Sequence, residues 1–265
     1  MEATEKLSEL FRKSNIKLAE SGDHAILAVM KLAKQIGRER VLIQDQGGWL
    51  TYRDYPKKEG LKVIELKTDY GIIDLDSLKQ NADEKSILLV NSLNGYFSEQ
   101  PMKEIAEICA EKKCILVNDA SGSVGTDIAS VGDIIICSFG KDKPVNLHYG
   151  GCIAYDNEKW DFFGEFDEEK INELEQELDK LFVRLDAWEK ITDRIKKDLK
   201  ECHIIHPDSR GINVIVKFCD EAEKQKIIKY CDENKYPYTL CPRYIRVNEN
   251  AVCIEVKRCN VFNGR

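Results

Sequence analysis

The chain has 265 residues, 43% of them hydrophobic, enough to bury a sizeable core in one large domain or in a large and a small one. Its formal charge is −7, with 40 Lys and Arg interleaved among 47 Asp and Glu, which argues against nucleic acid as the partner. No window approaches the roughly 18 consecutive apolar residues of a membrane span, and the opening MEATEKLSELFRK lacks the apolar core of a secretion signal, so a soluble cytoplasmic protein is expected. Most of the ten cysteines sit inside apolar runs and none forms a CxxC pair, which reads as buried reduced thiols. The four histidines form no HxxxH or Cys/His cluster, leaving a metal site without support.

Residues 25–36 place Ile26, Val29, Met30 and Ala33 on one face, which predicts an amphipathic helix. Short apolar runs follow at 41–43, 61–66, 87–91, 114–118, 133–138 and 152–155, alternating with amphipathic stretches such as 102–111. This alternation predicts a mainly parallel sheet covered by helices, its strands buried on both faces. Residues 167–200 carry apolar positions at spacings of three and four from Ile171 to Ile195 and predict one long connecting helix. The cluster from His206 to Gly211 reads as a loop. Beyond it come a strand (213–218), a helix (220–234) and two strands (244–247 and 251–256), a small α+β domain. The division expected is 1–160, 161–204 and 205–265.

In a parallel sheet, ligands gather at the carboxyl ends of the strands. Here those ends are polar: Asp45-Gln46-Gly47-Gly48-Trp49, Asn91-Ser92-Leu93-Asn94-Gly95, Asp119-Ala120-Ser121-Gly122, and Ser138-Phe139-Gly140-Lys141-Asp142-Lys143. A carboxylate at one strand end and a lysine beyond the next can converge on one molecule. Ser138-Phe139 followed by Lys143 and Gly150-Gly151, with Asp119-Ala120 upstream, resembles the fold-type I pyridoxal-5′-phosphate (PLP) enzymes of the aspartate-aminotransferase fold. Within them it is most similar to the DegT/DnrJ/StrS sugar aminotransferases.

The resemblance implies a PLP-binding large domain, an aminotransferase working on a small amine or keto substrate, and a homodimer. It implies Lys143 as the Schiff-base lysine and Asp119 as the carboxylate that keeps the ring nitrogen protonated. Trp49 falls where members stack an aromatic on the ring, and Asn94 where an asparagine touches the cofactor hydroxyl. Gly22, Asp23, His24 and Ala25 open a helix where the family binds the phosphate, with Ser138 adding a hydroxyl. The chain departs from the group at Asp23 and His24, which replace small hydroxyl residues, and at Gly122, which replaces a glutamine.

Each residue also has a plainer reading. Lys143 can be a surface lysine, with Lys141 the rival attachment point in the register of cysteine-desulfurase-like relatives. Asp119 can be a helix N-cap, Trp49 core filling and Asn94 a turn residue. A PLP-dependent lyase or desulfurase would need a thiol such as Cys241 near the cofactor, and a degenerate binding or assembly module would retain the fold without turnover.

Overall fold

The computed structural model describes residues 2–262. Helix α1 (Ala3–Phe11) and strand β1 (Asn15–Ala19) precede α2 (Gly22–Gln35), whose N-cap Ser21 accepts the His24 backbone N–H at 3.1 Å. There follow β2 (Arg40–Gln44), α3 (Thr51–Lys58), β3 (Lys62–Leu66), α4 (Leu75–Asn81), β4 (Ser86–Asn91), α5 (Met102–Lys112), β5 (Ile115–Asp119), β6 (Ile134–Ser138) and β7 (Gly151–Tyr155). They form a seven-stranded sheet in the order β1-β7-β6-β5-β4-β2-β3. The five strands from β6 to β3 run parallel, as expected, whereas β7 is antiparallel to β6 and to β1.

The apolar runs of β2, β4, β5 and β6 are buried on both faces because helices cover both, whereas in edge strand β3 only Leu66 is buried, contrary to expectation. Val41, Ile43, Ile87, Leu89, Val117 and Ile136 pack under α2, while their alternating neighbours Leu42, Leu88, Val90 and Leu116 pack against α4 and α5. At the other end of that second face, α1 presses Leu7 and Phe11 toward Cys152 and Ala154.

The expected single helix over 167–200 is instead two, α6 (Ile171–Asp179) and α7 (Leu181–Asp198), meeting at Lys180. The reason is that the segment serves two cores. Leu174 and Leu178 pack with α1 residues on the large sheet, whereas Trp188 and Ile195 pack with Val214 and Val216. The last part of the chain is an antiparallel sheet in the order β8-β9-β11-β10, formed by β8 (His203–Ile204), β9 (Val214–Lys217), β10 (Tyr238–Cys241) and β11 (Ala251–Ile254), with α8 (Glu221–Asn234). The strand expected at 244–247 lies at Tyr238–Cys241 instead. The loop after Pro242 turns back on itself through Arg243 N–H to Val247 O, and its Tyr244 carbonyl accepts the Gly47 N–H at 2.6 Å. Residues 244–247 therefore reach the carboxyl ends of the large sheet rather than pairing in the small one.

One buried ion pair anchors that loop. Arg246 and Glu255, both under 4% exposed, meet in a two-pronged contact at 3.0 and 2.8 Å, and Thr239 adds a hydroxyl to Glu255 at 2.6 Å. Burial alone raises the Glu255 carboxyl, but the Arg246 charge and these hydrogen bonds bring it down to about 2. A depressed carboxylate stabilises the fold above its unfolded value, near 4.3, and loses that contribution as pH falls toward 2. Glu255→Gln is expected to cost about 3–5 kcal/mol by leaving the guanidinium buried and unpaired, and to flatten the acid limb of stability between those values. Denaturant midpoints measured across that pH range check both.

Candidate active site

The carboxyl ends of β2, β4, β5 and β6 and the start of α2 enclose a cleft of about 210 Å³. A single water needs only roughly 10–15 Å³, so the cleft has room for a small organic molecule. Its walls are the Gly47–Trp49 turn, Asn91, Asp119 and Ser121, Ser138 to Lys143, the first turn of α2, and Tyr96 with Ile245 from two loops.

At one end α2 begins hard against β6. A Cβ on Gly22 would stand 2.6 Å from the Ser138 Cβ, so only glycine lets the helix start this close. The first N–H groups of a helix have no acceptor a turn back, and with the helix dipole they suit an anion. Asp23 does not spoil this end. Its Oδ1 accepts the Trp49 indole N–H at 2.8 Å and the Thr51 hydroxyl at 3.0 Å, tying α2 to the start of α3. His24 is exposed and turns to Glu20 at 3.2 Å and Ser21 at 3.0 Å, and Ala25 is buried in the core beneath α2. Neither side chain lines the cleft.

Across the cleft, Asp119 is 6% exposed. Its carboxylate accepts the Tyr52 hydroxyl at 2.6 Å and the Ser121 N–H at 2.9 Å; burial raises its pKa and these two bonds oppose the rise. Among the described residues no lysine or arginine pairs with it. Lys143 is the opposite case, an amine with no carboxylate partner among the described residues. Its Nζ donates to the Tyr96 hydroxyl and lies 4.5 Å from the centre of that ring and 5.5 Å from that of Trp49. Burial, then the charges of Lys257 and Arg246, push this amine well below the ordinary lysine range. Lys141 borders the cleft as well, but it is exposed.

The structure thus brings Gly22, Asp23, Trp49, Asp119, Ser138 and Lys143 to one cleft. It leaves Asn94 outside. The Asn94 side chain is buried in a network of its own, accepting from Gln44 at 2.9 Å and donating to the Tyr70 carbonyl at 2.7 Å and to Ser98 at 3.2 Å. Asn91, which pairs in register with Asp119, stands at the cleft instead. Tyr52 and Tyr96 escaped the sequence reading. A signal existed for each: Tyr52 lies one helical turn after Trp49, and Tyr96 fills the space that Gly122 leaves open, where a Cβ would be 2.7 Å from its ring. The donor set fits a molecule with an anionic end, a ring carrying a protonated nitrogen, and a group that reacts with an amine.

Residues 4–162 match the family model described as the DegT/DnrJ/EryC1/StrS aminotransferase family, and residues 184–263 match that of the MJ1341 family C-terminal domain. No curated protein matches the chain in sequence. Among solved structures, the aminotransferase TlmJ from Streptoalloteichus hindustanus is 14% identical with a TM-score of 0.79 over 96% of this chain and 84% of that one. The Helicobacter pylori aminotransferase PseC is 13% identical with a TM-score of 0.77 over 98% and 86%. GDP-4-keto-6-deoxy-D-mannose-3-dehydratase from E. coli, with bound hydrated PLP, is 14% identical with a TM-score of 0.73 over 95% and 86%. These likenesses show the fold, that of the fold-type I PLP enzymes.

If Asn94 is structural, Asn94→Ala strands the groups it satisfies and is expected to cost about 1–3 kcal/mol of stability. Thermal unfolding measures that cost, and the affinity of the folded fraction for PLP is expected to stay within about threefold of the parent.

Proposed function

Since the chain belongs to the DegT/DnrJ/EryC1/StrS aminotransferase family, whose cofactor is PLP, we propose that it is a PLP-dependent aminotransferase acting on a small amine donor and a keto acceptor. The observation that carries this reading is the pair of unmatched charges in one cleft, the Lys143 amine and the Asp119 carboxylate. When bound, PLP supplies an aldehyde that condenses with amines and a protonated ring that accepts electron density from Cα.

In this reading Lys143 attaches the cofactor. When not attached, its Nζ would take the proton from the substrate Cα and would deliver it to the cofactor's aldehyde-derived carbon. The lowered basicity of that nitrogen suits both duties, because an amine must lose its own proton before it can attack or accept another. Asp119 holds the proton of the ring nitrogen in place by its charge, and Tyr52 and Ser121 fix the direction in which the carboxylate points. Trp49, its indole pinned by Asp23, gives the ring a flat wall. Gly22, Ser138 and the first turn of α2 hold the phosphate.

Desulfuration loses its motive here. Cys241 lies in the small sheet, and burial pushes the thiol of Cys137, the cysteine that borders the cleft, well above its ordinary value. A purely structural module is less favoured too, since the anchored Asp23 leaves the phosphate end usable. The proposal includes a homodimer, for which the exposed Phe182 and Val183 on α7 offer an apolar face, and a cytoplasmic location, which ten free cysteines support. It also keeps the division into 1–160, 161–204 and 205–265; the family match over 4–162 supports the first boundary, whereas the second match begins at 184, within α7.

The purified protein is expected to develop a near-visible absorption band on titration with PLP, and borohydride is expected to fix the cofactor mass on the peptide carrying Lys143. Lys143→Ala should lose the band and lower amino transfer by about 10²–10⁴-fold. Asp119→Asn should keep the attachment and lower turnover by about 10²–10³-fold. Attachment at Lys141, or none, would overturn the assignment.

A further inference from the structure

Three cations gather around one ring. Lys143, Lys257 and Arg246 lie 4.5, 4.6 and 5.2 Å from the centre of Tyr96. Their charges are not equivalent. Arg246 is paired with Glu255, whereas Lys257 is buried and, among the described residues, donates to a carbonyl, that of Asp142, at 3.1 Å. Asp142 immediately precedes Lys143 and has a positive φ of 59°. Arg258 reaches its carboxylate at 3.7 Å, and Arg184 donates to the carbonyl of Pro144 on the other side of the lysine. The segment carrying Lys257 and Arg258, with Arg184 of α7, therefore clamps the loop that carries Lys143.

We propose that Lys257 is a positioning residue for Lys143: it fixes the Lys143 loop through the Asp142 carbonyl and, as a second ammonium behind Tyr96, disfavours a proton on the Lys143 amine. This rests on Lys143 being the reacting amine proposed above. The two nitrogens share one ring and so lie within about 9 Å of each other in a buried setting, where like charges interact strongly. Of the other charged groups near Lys143, Arg246 acts in the same direction and Asp23 from α2 opposes. Around Lys257 itself, burial and then Arg246 lower the pKa, against Glu255 and Asp142, to about 8. Tyr96 can approach both amines because Gly122 leaves room for its ring.

The test is read on the cofactor-free protein, so that it fails separately from the proposed activity. Trace labelling with acetic anhydride across pH 6–11, followed by peptide mapping, gives the pH midpoint at which the Lys143 amine becomes reactive. The parent midpoint is expected well below the roughly 10.4 of an ordinary lysine. Lys257→Met is expected to raise it by about one unit, a tenfold loss of reactivity at neutral pH, and Lys257→Arg to restore the parent value. An ordinary midpoint in the parent would overturn the proposal even if no variant folds. So would an unmoved midpoint in Lys257→Met, or equal shifts in the Met and Arg variants.

Discussion

Two opposite charges that do not meet each other, a buried carboxylate and a half-buried amine, are the constraint around which the site is organised. Neither the Asp119 carboxylate nor the Lys143 amine has an ionic partner among the described residues, and each is supported only by hydroxyls, a backbone N–H and aromatic faces. Charges taken out of water are costly unless something else compensates them. A ring with a protonated nitrogen answers the first, and loss of a proton or condensation with an aldehyde answers the second. On the proposed function, the same desolvation that makes the two residues unfavourable would make them reactive toward the cofactor.

The rest of the chain serves to hold these groups in register. Parallel pairing sets Asn91 beside Asp119, and the antiparallel β7 closes on β6 so that Ser138 faces Gly151. Gly22 lets α2 start against Ser138, which places a helix N-terminus at one end of the cleft. The C-terminal segment then reaches back: Tyr244 bonds to Gly47, and Lys257 and Arg258 hold the Lys143 loop. Although its sheet is separate, the small domain completes the walls of the site.

Much of this was legible in the sequence wherever the determinant was local. The strands β2, β4, β5 and β6 announce themselves because burial on both faces demands continuous apolar runs, and Lys143 and Asp119 because their spacing follows strand ends. Edge strand β1 did not, since Asn15–Ala19 is mostly half-buried and its composition is mixed. The break at Lys180 was hidden because a three-four periodicity persists through it; only the presence of two cores reveals it. Residues 244–247 read as a strand by alternation, yet their partners are Gly47 and Glu255, contacts that no local pattern encodes. Tyr52, Tyr96 and Lys257 escaped for the same reason: they meet their partners across 67, 47 and 115 residues of chain.

A crystal structure of the protein grown with PLP tests the account most directly. It should place the phosphate at the first turn of α2 beside Ser138, the ring nitrogen on the Asp119 carboxylate and continuous density into Lys143. Density running into Lys141, or a cofactor bound with its phosphate toward Asp119, would contradict it.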